Sequence, residues 1–219
     1  GSDYIPDLYQ RGVHNFVVSE KDEEWKKTQA LLGDENYKET NFLIVSDVLK
    51  ALQTLAELHR KQFQIPIVCI TGSNGKTIVK EWLHQLISPD RIVCRSPRSY
   101  NSQIGVPLSV WQMDKETQIG IFEAGISQPG EMRALQNIIK PTIGILTNIG
   151  GAHQENFFSL QEKCMEKLSL FKDCDVIIYN GDDELITTCV QKSMFTAREI
   201  AWSRKDAERP LFINNINKK

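Results

Sequence analysis

The run Ile67-Val68-Cys69-Ile70 leads through Thr71-Gly72-Ser73-Asn74-Gly75 directly into Lys76-Thr77 and the helix-like segment Val79-Lys80-Glu81-Trp82-Leu83. Strand, glycine turn and helix in immediate succession commit this stretch to a βα unit, the building block of a parallel sheet. The same layout is that of a phosphate-binding loop. Backbone N–H groups at a helix N-terminus cradle phosphate oxygens, the lysine neutralises charge, and the threonine hydroxyl can hold Mg²⁺. The general pattern sets a glycine five residues before Gly75, where Ile70 stands; the first glycine is instead Gly72, so the loop is shortened. Glycine-rich strand-to-helix turns also occur without a ligand. The candidate phosphate-binding residues are Thr71, Gly72, Ser73, Asn74, Gly75, Lys76 and Thr77.

The rest of the chain repeats this alternation. Strands are expected at Ile65–Ile70, Arg91–Cys94, Gln118–Glu123, Thr142–Thr147, Val176–Tyr179 and Thr196–Trp202, with helices between them. The expected fold class is therefore α/β, a mainly parallel sheet flanked by helices. Asp47–Arg60 places Val48, Leu52, Leu55 and Ala56 on one helical face. Glu131–Ile139 and Asp183–Lys192 are shorter helices, and Ser159–Phe171 opens on Ser159 with Glu162 three residues later, a capping box. The first forty residues differ. Phe16-Val17-Val18 is strand-like, Glu20–Thr40 reads as a charged linker with one amphipathic turn around Trp25, and a domain boundary falls near Asn41.

Composition narrows the function classes. A 219-residue chain with 41% hydrophobic residues can bury one sizeable core or a core plus a small appendage. The net charge of −2, with Lys and Arg scattered, gives no electrostatic footprint for nucleic acid. No apolar run approaches the roughly 18 residues that span a bilayer. Five cysteines (Cys69, Cys94, Cys164, Cys174, Cys189) form no C-x-x-C pair and suit buried thiols in a reducing cytoplasm. The start at Gly1-Ser2, without Met, reads as a piece of something longer.

Three further signals join the loop. On the Ser159–Phe171 helix, Leu160, Cys164, Leu168 and Phe171 fall within about an 80° apolar stripe, and Lys167 lies at its edge, about 20° from Leu160. A lysine there snorkels, pairs with an acid or loses its charge. Thr147-Asn148-Ile149-Gly150-Gly151-Ala152-His153 follows a strand, at the edge where open α/β sheets bind ligands. His153 there is a metal ligand, a polar anchor or an exposed loop residue. Ile119-Gly120-Ile121-Phe122-Glu123 ends an apolar strand on an acid, either a hard oxygen ligand beside a Mg²⁺-nucleotide or a turn acid.

Together these residues resemble the Mur ligases. Ile70–Thr77, Glu123-Ala124-Gly125 and Thr147–His153 match in order and spacing, and Lys167, fourteen residues after His153, completes the match. The form of Lys80-Glu81-Trp82 and of Asn101-Ser102-Gln103-Ile104-Gly105-Val106-Pro107-Leu108 is closest to the branch that adds D-alanyl-D-alanine to UDP-N-acetylmuramoyl-tripeptide. Ser96–Asn101 also resembles forms fused to an alanine racemase. The resemblance implies a P-loop NTPase-like central domain over 41–219, incomplete at its end, preceded over 1–40 by the end of an N-terminal substrate domain and a linker. It implies ATP and two Mg²⁺ ions as cofactors, with Lys76 on the β/γ-phosphates, Thr77 and Glu123 on one ion, and His153 and Lys167 on the other. It also implies that Lys167 carries a CO₂-derived carbamate, that Asn148 lies beside the same site, and that Asn101 and Ser102 face the substrate. Partners would be a UDP-linked muramoyl peptide and D-alanyl-D-alanine, with neither nucleic acid nor a membrane span, in the cytoplasm. Alternatives of related or different class are a folylpolyglutamate synthase and a regulatory nucleotide-binding module. Ile78 stands where relatives often have a second Thr, and the sequence stops at Lys219, where relatives continue with a His-Asn adenine-contacting segment and a C-terminal domain. The expectation is that this piece alone does not ligate although its parent does.

Overall fold

A computed structural model describes residues 2–21, 25–151 and 154–214. They form two compact units, Gly1–Leu52 and Gln53–Lys219.

In the first unit, strands β1 (Asn15–Ser19) and β2 (Asn41–Val45) pair in parallel, Asn15 opposite Asn41 and Ser19 opposite Val45. Helix α1 (Ile5–Gln10) precedes β1, and α2 (Trp25–Leu32) lies in the crossover between the strands. The segment read as a linker is thus partly helical, because parallel strands need a crossover long enough to reverse the chain. With β2 bonded to β1, the division between units falls at Leu52 rather than near Asn41.

The second unit begins within α3 (Val48–Arg60) and is built on seven parallel strands: β3 (Ile67–Thr71), β4 (Val93–Arg95), β5 (Ile119–Glu123), β6 (Ile143–Leu146), β7 (Val176–Asn180), β8 (Arg198–Ser203) and β9 (Leu211–Phe212). Their order is β4-β5-β3-β6-β7-β8-β9. The expected strands are all present with shifted ends, and β9 is an addition too short to carry a sequence pattern. Central β3 is buried along its whole length, as a strand covered on both faces requires. Its Val68 and Ile70 pack with Ile121 against Val79, Leu83 and Ile87 of α4 (Lys76–Ile87). Ile67, Cys69 and Phe122 face the larger core, shared with α5 (Gly105–Val110), α6 (Glu131–Ile139), α7 (Leu160–Leu168) and α8 (Glu184–Ser193). All five cysteines are buried and free.

Two helical faces differ from expectation. On α3 the buried positions are Gln53, Ala56 and Arg60, while Leu55 is 42% exposed. Arg60 turns inward because its guanidinium donates to the carbonyls of Ile139 (2.8 Å), Phe63 (2.7 Å) and Lys140 (3.1 Å), tying α3 to the end of α6. On α7 the buried arc comprises Lys163, Cys164, Lys167 and Leu168, whereas Leu160, at the first helical position, is 40% exposed. The Ser159 hydroxyl does accept from the Glu162 N–H at 3.0 Å. Glu162 returns its carboxylate to the Phe158 N–H at 2.7 Å, one residue before the position a capping box uses.

After β3 the chain turns towards β4 on one flank of the sheet, and after β6 it turns towards β7 on the other. The loops following β3 and β6 therefore border the crevice at a topological switch point, where such sheets bind ligands.

Candidate functional site

The two loops at this crevice are stitched together. The Ser73 N–H donates to the Asn148 carbonyl (2.8 Å) and the Asn74 N–H to Asn148 Oδ1 (3.0 Å). Ser73 Oγ accepts from the Gly150 N–H (2.8 Å) and donates to the Gly150 carbonyl (3.2 Å). Thr147 Oγ1 donates to the Asn74 carbonyl at 2.6 Å. Gly72 makes this approach possible: a Cβ there would lie 2.0 Å from Thr147 Oγ1, and its φ is +143°. Gly75, at φ +82°, gives the left-handed turn that starts α4. The side chain of Thr71 is committed to the Ala124 carbonyl (2.8 Å), so Thr71 serves the loop through its backbone.

The Ser73 and Asn74 N–H groups are thus occupied, and α4 opens on the N–H groups of Gly75, Lys76 and Thr77, which a helix of itself leaves without intrahelical partners. Lys76 Nζ folds back onto the carbonyls of Gly72 (2.9 Å) and Ser73 (3.4 Å). Burial pushes its pKa below the usual lysine value; Glu123 opposes that shift and Lys163 adds to it.

Glu123, fully buried at the end of β5, sits beside β3 in register with Ile70. Its Oε2 accepts from Thr77 Oγ1 at 3.1 Å and from Asn101 Nδ2 at 3.4 Å. The Asn101 carbonyl in turn accepts from the Gly125 N–H at 2.8 Å. Ser102 is exposed, and its Oγ accepts from the Gly105 N–H (3.2 Å) at the start of α5.

Lys167 does not snorkel: it is 3% exposed. Burial, then the charges of Lys76 and Lys163, lower its pKa to about 8. Lys163 itself is buried and donates to the Gly150 carbonyl at 2.6 Å, so three lysines converge on the loop pair. His153 lies outside the described residues.

Sequence reasoning did not assign a role to two of these groups. Lys163 is one turn before Lys167 on the same face of α7, a spacing that could have revealed it. Lys80 is one turn after Lys76 on α4, fully buried, with Nζ 2.8 Å from Glu123 Oε1.

The donor set fits one hard divalent cation. Thr77 Oγ1 and Glu123 Oε2 are adjacent oxygens beside an anion cradle, and Mg²⁺ is typically held by one or two carboxylates plus substrate phosphates and waters. Lys167 as an amine beside two other lysines does not fit a second cation; a carbamate on it would. Among the described residues no group of three His, Cys, Asp or Glu side chains forms a metal cluster.

A parallel α/β sheet with a glycine loop opening a helix at its switch point is an arrangement that many nucleotide-binding proteins use. Residues 70–219 match the Mur ligase middle domain, and the chain belongs to that family. It is 34% identical over 181 residues to the UDP-N-acetylmuramoyl-tripeptide–D-alanyl-D-alanine ligase of Borreliella burgdorferi, covering 82% of this chain and 38% of that protein. To the ligase of the same name from Bacillus subtilis it is 31% identical over 173 residues, covering 76% and 38%. A crystal structure of MurF from Acinetobacter baumannii superposes with TM-score 0.80 at 22% identity, over 98% of this chain and 44% of that one. The chain thus spans well under half the length of these relatives.

Proposed function

We propose that this chain is the nucleotide-binding part of an ATP-dependent ligase that joins D-alanyl-D-alanine to a UDP-N-acetylmuramoyl-tripeptide in the cytoplasm. One observation carries the reading: Thr77 Oγ1, at the start of the loop-borne helix, lies 3.1 Å from the buried carboxylate of Glu123. That juxtaposition of anion cradle and hard oxygen pair suits a nucleotide with its metal. The branch of the family is supported by the names of the curated relatives and by the Asn101–Leu108 segment.

In this reading Lys76 leaves the Gly72 and Ser73 carbonyls to neutralise the β- and γ-phosphates. The N–H groups of Gly75, Lys76 and Thr77 bind phosphate oxygens, and Asn148 holds the loop in shape. Thr77 and Glu123 hold one Mg²⁺, and His153 with a carbamylated Lys167 holds a second. When bound, the ions screen phosphate charge and fix the phosphoryl group. An amine with pKa about 8 keeps enough of its neutral form to attack CO₂, losing a proton and becoming an anionic oxygen ligand.

The chemistry is acyl activation. A carboxylate oxygen of the tripeptide attacks the γ-phosphorus, and ADP leaves. The amino group of D-alanyl-D-alanine then attacks the acyl carbon, sheds a proton, and phosphate leaves. Positioning and charge stabilisation supply most of such a rate enhancement, and Lys76 and the helix N-terminus are this chain's contribution. Asn101, beside Glu123, and its neighbour Ser102 in the loop after β4 face the tripeptide carboxylate. The first unit, Gly1–Leu52, belongs to the end of a substrate-binding domain, and ligation needs the longer protein.

The test is ATP binding by this chain with and without Mg²⁺, beside Lys76→Ala, together with intact mass after incubation in bicarbonate. The expected results are Mg²⁺-dependent binding lost in the variant and a gain of one CO₂ that Lys167→Met abolishes. Equal binding by Lys76→Ala would refute the assignment of the loop.

A further inference from the structure

Lys80 is fully buried, and its charge is enclosed by four oxygen groups from three directions. Nζ lies 2.8 Å from Glu123 Oε1 at the end of β5 and 3.2 Å from Glu81 Oε1 on its own helix. It also donates to the carbonyls of Ser96 (2.8 Å) and Arg98, in the loop after β4. Arg98 adopts a left-handed backbone, φ +49°, uncommon for a residue with a side chain. Glu81 is shared with Arg95 at 2.6 Å, so its charge is already answered at the rim.

This arrangement divides the Glu123 carboxylate. Oε1 faces the Lys80 ammonium at ion-pair distance and accepts no hydrogen bond from the described residues, while Oε2 is turned to Thr77 and Asn101. The same ammonium fixes the loop whose next residues carry Asn101, and Ser96 Oγ accepts from the Glu123 N–H at 3.2 Å. One cation therefore couples the nucleotide side of the crevice to the loop proposed to face the acyl substrate.

We propose that Lys80 is a positioning residue: it orients Glu123 so that only Oε2 is presented to the metal of the nucleotide, and it clamps the Ser96–Asn101 loop against the end of β5. This rests on the nucleotide–metal reading of the site. Partners that orient a metal-binding side chain from behind typically contribute about 10–100-fold to metal affinity.

The test compares wild type, K80M, E123Q and K80M/E123Q in Mg²⁺-supported ATP binding, with amide hydrogen exchange over residues 96–101 measured on the same proteins. K80M is expected to raise the Mg²⁺ concentration for half-maximal ATP binding by about 10–100-fold, with wild-type ATP affinity recovered at saturating Mg²⁺. A merely structural role would not be rescued by metal. Should K80M alone fail to fold, K80M/E123Q leaves no unpaired buried charge in the Lys80–Glu123 pair and keeps the comparison open. It should need no more Mg²⁺ than E123Q, while exchanging residues 96–101 at least about tenfold faster. Wild-type Mg²⁺ dependence in K80M, or a double variant about tenfold worse than E123Q, overturns the proposal. A wild-type chain that binds no ATP overturns the nucleotide reading instead; the exchange rates then judge the loop clamp by themselves, and wild-type-like exchange in the double variant overturns it.

Discussion

Ser73 and Gly150 bond each other reciprocally, Gly150 N–H to Ser73 Oγ at 2.8 Å and Ser73 Oγ to the Gly150 carbonyl at 3.2 Å. This pair joins the loops after β3 and β6, and Lys163 gives the Gly150 carbonyl a second donor. The loop after β3 is thus shaped by its neighbour. Ser73→Ala removes both bonds of the hydroxyl. A loss of about 1–2 kcal/mol in urea unfolding is expected, with weaker ATP binding because the cradle must then be ordered by the ligand. Wild-type stability would show that the loop pairing contributes nothing.

The two loop glycines should respond differently to alanine. At Gly75 a Cβ meets nothing within 4 Å, so only the left-handed backbone at φ +82° opposes it. Gly75→Ala is expected to cost about 1–2 kcal/mol. At Gly72 the Cβ would sit 2.0 Å from Thr147 Oγ1 and 3.0 Å from the Asn148 carbonyl, so the two loops must part. Gly72→Ala should cost more and abolish ATP binding. Chemical denaturation of both variants checks the ranking.

Lys167 makes stability depend on pH. Its pKa is about 8 in the fold against 10.5 in the unfolded chain. Between those values the unfolded state holds more protons, so stability rises with pH across the window and the cost of burying the charge is full below pH 8. In CO₂-free buffer, wild type should gain on the order of 3 kcal/mol relative to Lys167→Met between pH 7.5 and 10.5. Parallel pH profiles for the two proteins would rule this out.

Breaking the Lys80–Glu123 pair from the acid side leaves a buried ammonium with a lost partner. Glu123→Ala is expected to cost about 3–5 kcal/mol, measured by thermal or urea unfolding. Lys80→Met combined with Glu123→Gln should recover part of it, since neither charge is then stranded.

Much of this was legible in the sequence because local chemistry decides it. The Gly72–Gly75 spacing, the acid ending Ile119–Glu123, and the helix over Glu131–Ile139 all declare themselves within a few residues. What escaped depends on partners far along the chain. The buried face of α3 is set by Arg60 reaching carbonyls 79 and 80 residues away, which hydrophobic periodicity cannot see. Lys80 has no assigned role until β5 brings Glu123 to it, 43 residues on in sequence. Strand β2 was hidden because its apolar residues pair with β1 across a crossover that resembled a linker.

Carboxylate activation by ATP is the proposed chemistry of this crevice. Its most direct test is ADP release by the longer protein containing this segment, with each substrate omitted in turn. Steady, multiple-turnover release should require ATP, Mg²⁺, the UDP-linked tripeptide and D-alanyl-D-alanine together, and Lys76→Ala within that protein should abolish it. ADP release that persists without the tripeptide, or that Lys76→Ala leaves intact, would contradict the account.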